Sequence, residues 1–72
     1  MVVGDCLVIE RSDGSFDLFT IEADGARRPV YQNIADHHVA MRLAMAKLGP
    51  HGGEVHYKDE SEPDSAIRRL PG

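Results

Sequence analysis

Residues 6–31 read CLVIERSDGSFDLFTIEADGARRPVY, and this stretch decides the fold. Two Asp-Gly pairs, Asp13-Gly14 and Asp24-Gly25, punctuate a run of apolar, β-prone residues. Asp-Gly between hydrophobic runs is the strongest short-range hairpin signal, because glycine adopts positive φ without steric cost. Two such turns in succession predict a three-stranded antiparallel meander over residues 5–31. Taken as two-residue turns, they set a register in which paired positions sum to 27 and then to 49. Val8 then faces Phe19, Cys6 faces Ile21, and Glu22 faces Arg27, an opposite-charge pair that supports the register. Pro29 has no N–H to donate, so the third strand is expected at a sheet edge.

After the meander comes a helix, expected over residues 34–48. Asn33 is a good N-cap and Asp36 resembles the partner of a capping box. Ala, Leu, Met, Arg and Lys dominate residues 39–48, and Gly49-Pro50 stops the run. A fourth strand is expected over residues 54–58. A right-handed crossover places it beside the first strand. The expected fold is therefore an α+β domain of β-β-β-α-β layout, with sheet order 3-2-1-4. Residues 1–58 form the single domain, and residues 59–72 are expected as an acidic, flexible tail.

The chain has 72 residues, one cysteine, 8 basic and 12 acidic side chains, and a net charge of −4. So short a chain buries only about 60% of its unfolded surface, so a lone core is marginal. A single cysteine excludes an intrachain disulfide. The acidic balance lacks the electrostatic footprint of a nucleic-acid binder. No apolar run approaches the ~20 residues of a membrane span, and no signal peptide is visible, so a cytoplasmic protein is expected, without membrane contact.

The order of strand, Asp-Gly turn, strand, turn, strand, Ala-rich helix ending at Leu48-Gly49, then Val55-His56-Tyr57 resembles small bacterial domains of unknown function with a β-β-β-α-β layout. The resemblance covers residues 6–58. It implies a fold and no catalytic residues.

No catalytic group, cofactor or metal is expected. His37 and His38 diverge by 100° on a helix, and His51 and His56 flank Gly52-Gly53 without further ligands at zinc spacing. Gly49–Gly53 follows a helix C-terminus, the wrong end for a phosphate. Ser12, Ser15 and Cys6 have no base placed beside them in sequence.

The apolar surface is more informative. In the expected register one sheet face carries Cys6, Val8, Phe19, Ile21 and Val30. The other carries Leu7, Ile9, Phe16, Leu18 and Tyr31. One helix covers only one face. The helix itself has two apolar arcs, Ile34, His37, Met41, Ala44, Met45 and Leu48 on one side and Val39, Leu43 and Ala46 on the other. A single-stripe surface helix needs only one. The expected function is thus a small non-catalytic protein-interaction module, a homodimer, with Cys6, Val8, Phe19, Ile21, Val30, Val39, Leu43 and Ala46 as interface candidates. The alternative is weak nucleic-acid binding at the third strand through Arg27, Arg28 and Tyr31, since an aromatic beside arginine can stack bases.

Overall fold

The computed structural model describes residues 1–49 and 52–70. Pro50 and His51 lie outside the described residues. Strands β1 (Cys6–Glu10), β2 (Phe16–Ile21) and β3 (Arg27–Ile34) form the antiparallel meander. Helix α1 (His37–Leu48) then crosses the sheet to β4 (Val55–Asp59), which pairs parallel to β1. A short 3-10 turn (Asp64–Ala66) leads to β5 (Arg68–Arg69), antiparallel to β4. The sheet is mixed, with order β3-β2-β1-β4-β5. The expected order is thus present, extended by one short edge strand. Pro29 lies on an outer strand, where its missing donor costs least.

The register differs from expectation by one residue. Val8 pairs with Leu18, Leu7 with Phe19 and Cys6 with Thr20, so paired positions sum to 26. The cause is turn chemistry. Arg11 N–H donates to Ser15 O at 2.7 Å, and Gly14 N–H donates to Arg11 O at 3.0 Å. Ser12, Asp13 and Gly14 therefore make a three-residue loop, with Gly14 at φ +88° closing a G1-type bulge. Asp13 Oδ1 accepts from Ser15 N at 2.9 Å and Ser15 Oγ at 2.6 Å. The second turn repeats the plan: Glu22 N–H donates to Ala26 O, Gly25 N–H to Glu22 O, and Asp24 Oδ1 accepts from Ala26 N. A two-residue type I′ turn would force both aspartates to positive φ. Here only the glycines take it, and each aspartate spends its carboxylate on the residue after the glycine. The pair Glu22–Arg27 is replaced accordingly: Arg28 is the arginine beside Glu22, at 3.9 Å.

A one-residue slip exchanges faces for every side chain on one strand. Cys6, Val8, Phe16, Leu18 and Val55 now share the face under α1, where they pack with Ile34, Ala40, Ala44 and Leu48. Leu7, Ile9, Phe19 and Ile21 lie on the opposite face. The buried helix stripe is Ala40, Ala44 and Leu48, spaced by four. The expected stripe was centred on larger neighbours. Alanine at 40 and 44 lets the helix approach until Cys6 Sγ is 3.7 Å from Ala44 O, while Met45 is turned outward.

The helix also starts later than expected. Asn33 is not its cap. It stands in β3 at φ 58°, with its N–H donated to Asp17 Oδ1 at 3.1 Å. Two irregularities in the β2–β3 pairing carry the strand on to Ile34, which pairs with Phe16 and is buried. Asp36 caps α1 instead, accepting from His38 N at 2.6 Å. At the far end Gly49 takes φ +59° and donates its N–H to Met45 O, the positive φ expected of a helix stop.

Residues 59–70, expected as a tail, begin with the last residue of β4 and continue through the 3-10 turn and β5. Glu60 N–H donates to Glu10 O at 2.8 Å and Leu70 N–H to Val55 O at 2.8 Å. Between those bonds the chain passes over the sheet face opposite α1. Asp64 Oδ1 is 2.9 Å from Arg27 Nη2 on β3 and 3.2 Å from Lys58 Nζ on β4. Those strands are three spacings apart, roughly 14 Å. One carboxylate reached from both therefore stands over the middle of the sheet. Beneath it Leu7 is fully buried and Ile21 nearly so.

Candidate functional site

Three places merit consideration, beginning with the densest polar cluster. The parallel pairing of β1 with β4 sets Cys6 beside Val55, which brings the preceding Asp5 and Glu54 together and His56 nearby. Asp5 is 1% exposed. Its Oδ2 accepts from His56 Nε2 at 2.9 Å and Val2 N at 3.2 Å, and its Oδ1 accepts from Glu54 N at 3.1 Å. Burial alone raises the Asp5 pKa. The bonds from His56, Val2 and Glu54 outweigh it and hold the carboxyl below its ordinary value of 3.8.

Ligand atoms of Asp5, Glu54 and His56 lie within 4.8 Å of one another, a spacing compatible with a metal ion. Each residue nevertheless makes a polar contact within the protein. Both Asp5 oxygens accept hydrogen bonds, and Glu54 Oε2 is paired with Arg69 Nη1 at 2.6 Å. The arrangement ties the N-terminal turn to β4 and β5; it is a structural lock. Asp5 and His56 stand 51 positions apart, and only the strand order joins them.

A second polar contact closes the far end of the same strand pair. Tyr57 donates its hydroxyl to Glu10 Oε1, and the Arg68 guanidinium lies 4.8 Å from the Tyr57 ring centre. The Glu10 bond, helped by burial, pushes the Tyr57 pKa up to about 12. Cys6 is inside the core. Burial, with the Asp5 charge beside it, raises its thiol pKa, which suits a packed side chain rather than a nucleophile.

The second place is β3, the nucleic-acid candidate. Arg27 and Arg28 point to opposite faces of the strand. Arg27 is engaged by Asp64. Arg28 remains 74% exposed in its side chain, and Tyr31 is 43% exposed. The structure therefore separates the two arginines. Arg28 lines a shallow depression of about 300 Å³ with Thr20, Pro29, Val30 and Lys47.

The third place is the flank of α1 that faces that depression. Val39 and Leu43 share the flank of Lys47, at four-residue steps. Val39 is 45% exposed, Ala46 is exposed, and Leu43 is half-buried against the core. Val30 is half-buried at the adjoining strand. Four of the eight interface candidates thus gather along one side of the helix. The others do not join them. Cys6 and Val8 are fully buried under α1, and Ile21 is buried on the opposite face, so none has surface to offer a partner. Phe19 is half-buried on that opposite face. The register accounts for this. The sum of 26 moved Cys6 and Val8 away from Phe19 and Ile21, with which the expected register grouped them.

No helix among the described residues is long and apolar enough to cross a membrane. No protein-family model, no curated protein and no solved structure matches the chain.

Proposed function

We propose that this protein is a small non-catalytic interaction module that acts as a homodimer, with α1 of one copy lying antiparallel against α1 of the other. The observation that carries this reading is the line Val39, Leu43, Ala46. Its spacing of four and then three is the spacing of a helix-pairing seam. It runs beside the core stripe of Ala40, Ala44 and Leu48 and is not used up by it. An antiparallel pair centred between Arg42 and Leu43 sets Val39 of each copy opposite Ala46 of the other. It also brings Asp36, at the positive end of one helix dipole, toward Lys47, in the last turn of the other. Closed two-fold pairing is the commonest way to bury such a patch.

The contact is short. Twelve helical residues span roughly 18 Å, so the dimer belongs to the small, weak class of interfaces. Light scattering across the micromolar range should show a mass rising from 7.9 kDa toward twice that value. Val39→Asp should hold the mass at 7.9 kDa with its melting temperature little changed, since Val39 is largely outside the core. A wild-type mass that never rises removes the dimer. A mass shift only on adding single-stranded oligonucleotide, lost in Arg28→Ala, would instead favour the nucleic-acid reading, with Arg28 and Tyr31 as its groups.

A further inference from the structure

The geometry points to the sheet face opposite α1 as a peptide-binding face that residues 60–67 of the same chain occupy in cis. The partner this face fits is a short acidic segment with a carboxylate three residues before an aliphatic side chain, the pattern of Asp64 and Ile67. The site is independent of the proposed α1 dimer.

Three observations support it. First, the face is built around its occupant. Arg27 from one side of the sheet and Lys58 from the other converge on Asp64 Oδ1. Lys58 is 8% exposed, and the partners of its ammonium are Asp64 and the Glu62 carbonyl at 2.9 Å, both on the overlying segment. Lifting that segment takes Asp64 away from both Arg27 and Lys58 and leaves two cations beside an apolar floor, a setting that favours another carboxylate. Second, the floor is apolar. Leu7 and Ile21 are buried there, with Ile9 and Phe19 half-buried around them. Ile67 shares with Arg27, His56, Asp64, Arg69 and Met1 a depression of about 480 Å³ at the margin of the face. Third, the segment is held mainly at its ends and by polar pins. Glu60 is bonded to Glu10, β5 is bonded to β4, and the span between carries a single 3-10 turn with no buried residue. A loop fixed at both ends, with no buried side chain of its own, is the kind of element that opens without global unfolding.

The cis segment acts as an intramolecular competitor, at an effective concentration on the order of millimolar. Weakening its pin should therefore uncover binding in trans. The experiment uses the full chain and a fluorescein-labelled peptide of residues 60–67, ESEPDSAI, followed by anisotropy. Asp64→Ala should bind the peptide at least about tenfold more tightly than the wild-type chain does. A peptide carrying the same Asp64→Ala change should bind neither. A folded Asp64→Ala chain that ignores the peptide overturns the proposal, and so does equal binding to both chains. Hydrogen exchange on the wild-type chain needs no variant and covers the case in which Asp64→Ala fails to fold. The amides of Ala66 and Ile67 should exchange at least about 100-fold faster than that of Leu7. Equal rates would mean that the segment leaves only on global unfolding, and the proposal falls.

Discussion

Asp5→Ala is expected to lower the melting temperature by at least about 12 °C and to leave little native protein at 37 °C. Asp5 is nearly inaccessible and accepts from three donors: His56 Nε2, Val2 N and Glu54 N. Removing one partner of a buried hydrogen-bonded pair costs about 3–5 kcal/mol, chiefly because the other partner is stranded. A domain of 72 residues has a total stability of roughly 4–11 kcal/mol. One kcal/mol moves the midpoint of such a domain by about 4–8 °C. Asp5→Asn keeps an acceptor of the same shape and should lose less.

Acid should show the same lock from the other side. The folded-state pKa of Asp5 lies below its ordinary 3.8, so its contribution is fully present above that value. It is lost as the pH falls through the depressed pKa. Asp5→Asn lacks that contribution at every pH. The gap in denaturation midpoint between wild type and Asp5→Asn should therefore be widest near neutrality and shrink as the pH drops below 3.8. A gap that stays constant down to acid pH would show that the carboxylate charge is not what holds the N-terminal turn.

Leu7→Ala is expected to destabilise by about 2–5 kcal/mol, the range for deleting a buried leucine side chain. The loss should be the same at low and high protein concentration, because Leu7 is fully buried within one chain. Were the sheet face opposite α1 covered by a second copy instead, the loss would grow with concentration as the wild type gained dimer stability. Chemical denaturation at two concentrations a hundredfold apart (roughly 2 and 200 μM) separates the two cases.

The architecture was legible because it rests on local signals. Asp13-Gly14 and Asp24-Gly25 announced the hairpins, Pro29 the edge strand, and Gly49 the helix end. Layout and strand order followed from these and from crossover handedness. The errors arose where two local chemistries compete. An Asp-Gly pair serves a two-residue turn as well as a three-residue loop. What favours the longer loop is a side-chain bond from Asp13 to Ser15 and from Asp24 to the Ala26 backbone. Asn33 and Asp36 are both competent caps, and pairing of Ile34 with Phe16 settled the matter through tertiary contact.

The Asp5–His56 lock and the Arg27–Asp64 contact left no trace in the sequence, since each joins positions far apart in the chain that meet only after the sheet forms. The acidic run 59–64 read as solvated charge because Arg27, which meets Asp64 in space, lies on β3, far from it in sequence. The apolar excess that suggested a sheet-mediated dimer is absorbed by this overlying segment. The α1 flank is what remains.

Everything turns on the one-residue difference in the first hairpin, which sends Cys6 and Val8 under the helix and Leu7 under residues 60–67. Arg11 and Ser15 are joined by a backbone bond, as are Asp5 and Ile21, so the pairs that alternate with them are not hydrogen-bonded to each other. Those are Cys6–Thr20, Val8–Leu18 and Glu10–Phe16, whose α-carbons approach to about 4.5 Å. A nuclear Overhauser spectrum should show strong Hα–Hα cross-peaks between Val8 and Leu18 and between Cys6 and Thr20. Cross-peaks from Leu7 to Thr20 and from Ile9 to Leu18, the close pairs of the other register, would restore the two-residue turn, exchange the two faces, and contradict the account at its root.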